Sequence, residues 1–320
     1  SNMLLSMTFL FLASIGFWGS LVFYNAYLPE IANVEEQDKV SAKGFIMGYL
    51  GSSILLILII VLFVLKGTRI FEDIRYAFVV VGIWWLFFAF LSFSKIPNAN
   101  KVNKRVQTNN LLSNGWKELR NVMKEISGRK QLKRFLYSYF FYNMGVQTVM
   151  IMAVTFAAKS IIWESEAVRE QSLIISILLI QFLGIAGAFI MSRLALRFGN
   201  LAIIRLTIVF WIILCICVWQ FVYWPIQFFA VAASVGLIMG GIQSMSRSTY
   251  SKMLPETEDH ASYFSFYDFS EKIGLTLGTV SFAFAEAGTG NIRNSVIPIL
   301  VCFIIGFILS YFIPKSETVA

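Results

Sequence analysis

Three ionisable residues, Asp268, Glu271 and Lys272, fall within five positions of an otherwise apolar stretch. At about 100° per residue they share a helical arc of roughly 100°, and Asp268 and Lys272 stand one turn apart, able to pair. Charge is costly in hydrocarbon, so such a set belongs beside a water-filled route or against partners. Lys272 can hold a solute carboxylate, and either acid can exchange a proton. An ion pair fastening this helix to a neighbour is the other reading. Gln147 and Gln181, near the middles of two other apolar stretches, offer neutral donors and acceptors to the same route, or interhelical bonds instead.

The elements that position these groups follow from composition. The chain has 320 residues, 58% hydrophobic and only 14% charged, with a mean hydropathy of +0.72. Soluble domains carry about a quarter charged residues, so this chain falls in the membrane class. Nine apolar runs are long enough to span: about 4–28, 44–65, 74–94, 135–158, 172–192, 200–222, 226–247, 262–287 and 296–313. All read as helices, because small residues recur at helical spacing and no strand alternation occurs. Close glycine pairs, including Gly184 with Gly187, Gly236 with Gly240, Gly274 with Gly278, and Gly44, Gly48 and Gly51, predict tight helix contacts.

Catalytic chemistry is poorly served. His260 is the single histidine and lies in a polar connection. Cys215 and Cys217 point about 200° apart on one helix and cannot share a metal, and Cys302 stands alone. Walker A and Ser-His-Asp arrangements are missing. The expectation is no enzyme, no cofactor and no metal.

Basic residues set the predicted orientation. One set of alternate connections carries 19 Lys and Arg, the other 6. The richer set, which includes the C-terminal tail, is cytoplasmic by the positive-inside rule. The connection 95–134 dominates this count, with 11 basic and 2 acidic residues. Within it Leu112, Trp116, Leu119, Met123 and Ile126 form an amphipathic stripe, predicting a surface helix on anionic lipid headgroups. Nucleic acid would also answer the charge, but no reader motif accompanies it.

A short repeat suggests internal symmetry. Tyr24-Asn25-Ala26-Tyr27-Leu28-Pro29-Glu30 returns as Tyr250-Ser251-Lys252-Met253-Leu254-Pro255-Glu256, with four of seven positions identical. Six further spans lie between the copies, the period of a carrier made of two parallel six-helix halves. Proline is expected to stop the helix at each copy. Glu30 and Glu256 are placed to meet basic groups across the halves. Three spans precede the basic connection and six follow it. The division expected is 1–94 as three spans of an N-terminal half, 95–134 as linker and 135–320 as a complete C-terminal half. An N-terminally truncated fragment is the simplest account of that asymmetry.

Particular residues carry a family resemblance. Phe23-Tyr-Asn-Ala-Tyr-Leu-Pro-Glu-Ile-Ala32 with Val40-Ser-Ala-Lys-Gly44, Gly145-Val-Gln-Thr148, Gly240-Gly-Ile-Gln-Ser-Met-Ser-Arg-Ser248 and Phe266-Tyr-Asp-Phe-Ser-Glu-Lys272 resemble segments of the vacuole-effluxer-like (autophagy-related) family, with its bacterial relatives, in the major facilitator superfamily. The resemblance implies an all-α membrane protein of twelve helices, of which this chain supplies apparent helices four to twelve. It also implies a bacterial inner-membrane location. Ser192-Arg-Leu-Ala-Leu-Arg-Phe-Gly-Asn200 is similar to the superfamily's G-x-L-A-D-R-x-G-R motif. It keeps Arg197 but has Leu196 in place of the acid, which removes an Asp–Arg latch from this copy. Met144 stands where the family implies an acid.

The function expected is secondary transport of a small polar solute by alternating access, with an amino acid implied by the resemblance alone. A proton is an open choice of coupling ion, since a uniporter has the same residues. Asp268, Glu271, Lys272, Gln147 and Gln181 are the pathway candidates. Tyr24, Asn25, Arg197, Gln243 and Arg247, near cytoplasmic helix ends, are the gating candidates. A non-transporting receptor, scaffold or degenerate paralogue is the alternative.

Overall fold

The computed structural model describes residues 3–66, 74–95, 111–257 and 259–314. Among these the chain forms ten α-helices and no strand: α1 (Met3–Ile31), α2 (Gln37–Lys66), α3 (Ile74–Lys95), α4 (Leu111–Gly128), α5 (Lys130–Ser160), α6 (Glu166–Phe198), α7 (Asn200–Gln220), α8 (Pro225–Lys252), α9 (His260–Thr289) and α10 (Val296–Tyr311). A 3₁₀ turn, Ile292–Ser295, leads into α10. Bilayer-spanning backbone must satisfy its own hydrogen bonds, and helices do so within one segment.

Eight of the helices are long and apolar enough to cross a membrane. The ninth span expected from sequence, α9, has 30 residues but is not among them. Asp268, Glu271 and Lys272 all lie in it. Its place in the bundle rests instead on its packing against α5, α1 and α10.

Several helices overshoot their apolar runs because polar caps extend them. Ser165 accepts from Val168 N ahead of α6, and Asp259 accepts from Ser262 N ahead of α9. Both side chains satisfy amides that a helix start leaves unpaired. Gly199 and Gly290, at φ 84° and 66°, take the backbone where other residues are strained. Pro29 departs from expectation: α1 continues through it to Ile31. Ending within two residues, the helix forfeits little beyond a donor for the Asn25 carbonyl.

The most extensive packing joins α6 to α8. A Cβ on Gly187 would collide with the Leu237 carbonyl, one on Gly240 with the Gly184 carbonyl, and one on Gly236 would come 2.5 Å from the Ile180 carbonyl. Backbone meets backbone there, the approach that small residues permit. Gly48 and Gly51 differ from expectation, since nothing described lies within 4 Å of a Cβ at either. Gly187→Ala should therefore cost about 1–3 kcal/mol through overpacking, while Gly48→Ala costs little. Melting temperatures of the two variants in detergent check this.

Arg293 closes the opposite end of the last six helices. It is 9% exposed and donates to the carbonyls of Val218, Trp219, Val222 and Ser160. These are orphan C-terminal carbonyls of α7 and α5 and the turn after α7, where a cation suits the helix dipole.

The first helices meet the last six through α2 against α6 and α8, and α1 against α9 and α8. α3 rests on α2, and α4 rests on α9 and α5. The 96–110 part of the basic connection lies outside the described residues, as does the Leu112 side chain.

Candidate functional site

Asp268, Glu271 and Lys272 come together at the junction of α9, α1 and α5. Lys272 Nζ lies 2.7 Å from Glu271 Oε1 and 3.7 Å from Asp268 Oδ1. The nearer partner is therefore the sequence neighbour, not the residue one turn away; the long lysine stem folds back along the helix. Lys272 Nζ also sits 3.4 Å from the centre of the Trp18 ring, a cation–π contact from α9 to α1. The other oxygen of Glu271 accepts from Tyr139 Oη at 3.0 Å and Asn143 Nδ2 at 3.4 Å, both on α5.

Two acids face one ammonium, so the cluster carries −1 when all three are ionised. The side chains are 14%, 17% and 27% exposed for Asp268, Glu271 and Lys272. All three thus keep some access while protein partners hold them. Lys272 lies about 18 Å along α9 from His260, near mid-helix. Gln147 stands one turn beyond Asn143 on the same face of α5, partly exposed. Gln181 instead accepts from Ser53 Oγ at 3.0 Å, joining α6 to α2.

A second constellation lies where α1, α6 and α8 end and α2 and α9 begin. Arg247, 5% exposed, reaches from α8 to donate to Ser41 Oγ at 3.0 Å, the Ser41 carbonyl at 2.9 Å and Asn25 Oδ1 at 3.2 Å. Its guanidinium also lies 5.0 Å from the Tyr24 ring and 4.7 Å from Phe45. Ser41 Oγ donates to the Ser244 carbonyl at 2.8 Å. Gly44 makes room here, since a Cβ would displace the Tyr24 hydroxyl and press on the Arg247 guanidinium. Tyr49 Oη donates to Gln243 Oε1 at 2.8 Å.

Nearer the helix ends, buried Asp38 meets Lys252 Nζ at 2.5 Å and Asn200 Nδ2 at 2.6 Å. Glu30 faces His260 Nδ1 at 3.8 Å. From Asp38 to Ser53 the polar contacts of α2 run about 22 Å along its axis. These contacts tie the first helices to the last six at this end of the bundle.

Tyr24, Asn25, Gln243 and Arg247 therefore gather at this end. Arg197 does not: it is exposed and lies over the Phe198 ring at 5.5 Å, away from α1 and α2. The motif's last residue, Asn200, makes the crossing contact with Asp38 in its place. Sequence reasoning missed Trp18, Tyr139, Asp38 and Ser41. Asp38 left one signal, an acid opening an apolar helix.

An aromatic and hydroxyl chain runs between the two constellations. Tyr139 stacks on Tyr267 at 4.3 Å, Tyr267 lies 4.7 Å from Tyr250, and Tyr142 Oη bonds Ser246 Oγ at 2.7 Å, beside Arg247. A cavity also lies elsewhere, inside the last six helices. Its lining, including Val149, Phe156, Trp211, Val235, Phe282 and Ile299, is wholly apolar. It has nothing with which to orient a polar solute.

Known proteins share this fold. A fucose:proton symporter of E. coli, FucP, superposes with a TM-score of 0.64 at 14% identity, over 92% of this chain and 73% of that one. FucP in its outward conformation gives 0.62 over 92% and 72%. The fold is that of the major facilitator superfamily. An uncharacterized MFS-type transporter of Bacillus subtilis, YxiO, is 29% identical over 98% of this chain and 72% of its own length. Autophagy-related protein 22 of Vanderwaltozyma polyspora is 26% identical over 86% of this chain, which spans 58% of that protein. The family model described as "Vacuole effluxer Atg22 like" matches residues 1–318; the chain belongs to that family.

Proposed function

We propose that the protein is a secondary transporter that moves a small polar solute by alternating access, with an amino acid as the class to test first. The carrying observation is the Asp268–Glu271–Lys272 cluster, held mid-helix against Trp18 and Tyr139 where α1 and α9 meet. A zwitterion presents the complement of that cluster, an ammonium for the acids and a carboxylate for the lysine. Glu271 and Asp268 suit a coupling proton, and the neighbour FucP is named a proton symporter.

The end tied by Arg247 and Asp38 is the shut one, and it is cytoplasmic on the Lys and Arg distribution, with the C-terminus on the same side. The conformation is then outward-facing, in keeping with the likeness to FucP in that state. Residues 1–94 and 135–320 serve as the two bodies that rock, and the contacts of Arg247 and Asp38 must break for the site to face inward. The bacterial relative supports a plasma-membrane location.

The test is solute counterflow in proteoliposomes holding the full-length protein, using an amino-acid panel with fucose as a sugar control. Accumulation of labelled amino acid, raised by an inward proton gradient, is expected. Accumulation of the sugar alone overturns the amino-acid assignment. Counterflow of no solute by well-folded protein overturns transport in favour of a receptor or scaffold.

A further inference from the structure

The apolar stripe of α4 divides in the fold, and the division has a consequence. Val122 and Ile126 are 3% and 4% exposed, turned onto the bundle, whereas Trp116 and Met123 are 64% and 49% exposed. Taking Val122 as zero, Ile126 and Leu119 fall at about 40–60°, Met123 and Trp116 at about 100–120°, and Arg120, Lys124 and Lys117 at about 160–220°. The acids Glu125 and Glu118 fall at about 300–320°, back toward the bundle. Tyr263 of α9 donates to Glu125, and Tyr250 of α8 donates to the Tyr263 carbonyl at 2.7 Å. The helix is thereby fixed about its own axis, with one acid engaged by a hydrogen bond and the bases left outward.

We infer that the Trp116–Met123 edge and the Arg120–Lys124–Lys117 arc of α4 form a docking surface for anionic phospholipid headgroups, held at its angle by the Tyr263–Glu125 bond. An exposed Trp beside a thioether suits the interfacial zone, where indole places its ring at headgroup depth. Three adjacent bases without an acid between them match headgroup phosphate, each worth about 1 kcal/mol near an anionic leaflet. The segregation of acids to the far flank is what charge complementarity to a membrane requires, and a solvated helix has no need of it. This surface stands independently of which solute the protein carries.

The experiment uses full-length protein in detergent, melted with added dioleoyl-phosphatidylglycerol or dioleoyl-phosphatidylcholine at equal mole fraction. Wild type should gain several degrees with the anionic lipid and little with the zwitterionic one. Lys117→Gln/Arg120→Gln/Lys124→Gln should lose at least half of that gain, and Tyr263→Phe should reduce it with every charge retained. Equal stabilisation by the two lipids, or an undiminished gain in the triple variant, overturns the proposal. A second readout covers poor folding of that variant: Trp116→Cys, carrying an environment-sensitive dye in nanodiscs, should shift to the blue when a quarter of the lipid is anionic. Shielding that follows protein concentration rather than lipid charge would assign the face to a second copy and overturn it equally.

Discussion

Lys272→Gln should lower transport by about a hundredfold or more while the protein still reaches the membrane. Among the described residues Lys272 is the one cation paired with Asp268 and Glu271, so its loss leaves two acids facing each other at mid-helix. Stranding a buried charge costs about 3–5 kcal/mol. Part of that is discounted here, because the three side chains keep some exposure. A hundredfold change needs only about 2.7 kcal/mol. Lys272→Arg should restore little, because a planar guanidinium cannot place one compact charge on both the Trp18 face and the Glu271 oxygen. Initial uptake rates, normalised to the amount of protein at the surface, check both variants. Rates near wild type in Lys272→Gln would reduce the cluster to a helix fastener.

Glu271→Gln separates coupling from binding. An amide can still accept from Lys272 through its oxygen and donate to the Tyr139 hydroxyl through its NH2, but it cannot take up a proton. Solute exchange should survive in this variant, while accumulation driven by a proton gradient is lost. If accumulation persists, the proton passes through Asp268 or is not carried at all.

The long helices were legible because apolar length is a local property of the chain. The charged face of α9 was legible for a related reason: charge in an apolar run is conspicuous, and helical geometry places Asp268, Glu271 and Lys272 together without tertiary knowledge. Their partners were not. Trp18 and Tyr139 are aromatic residues among many, and nothing local says that one ring will lie over an ammonium. Asp38 falls outside the apolar runs, yet it is among the most buried charges, because Asn200 and Lys252 arrive from 162 and 214 positions away. The α4 stripe was legible only in part. Periodicity marks the apolar positions but does not say which of them face protein, and Val122, outside the expected stripe, proved as buried as Ile126.

Arg247→Ala should unlock the shut end. The guanidinium makes three hydrogen bonds from α8 to Ser41 and Asn25 and lies against two rings of α1 and α2. Hydrogen bonds to a charged group contribute about 1.5–3 kcal/mol each. Even one net bond lost from the shut state alone shifts the balance of the two states more than tenfold, and the set together on the order of a hundredfold. Ala42, 2% exposed beside Ser41, supplies the reporter. With Cys215, Cys217 and Cys302 replaced, Ala42→Cys should react slowly with a membrane-impermeant maleimide, and about a hundredfold faster once Arg247 is removed. Asp38→Asn should act more weakly, since an amide keeps a bond to Asn200 and loses only the ion pair with Lys252. Gly187→Ala serves as the contrast: it loosens α6 from α8 within one body, so it should lower the melting temperature without this selective gain at position 42. An unchanged reaction rate in Arg247→Ala would mean that the shut end is held by the Tyr49–Gln243 and Ser53–Gln181 contacts, with Arg247 a packing residue among them.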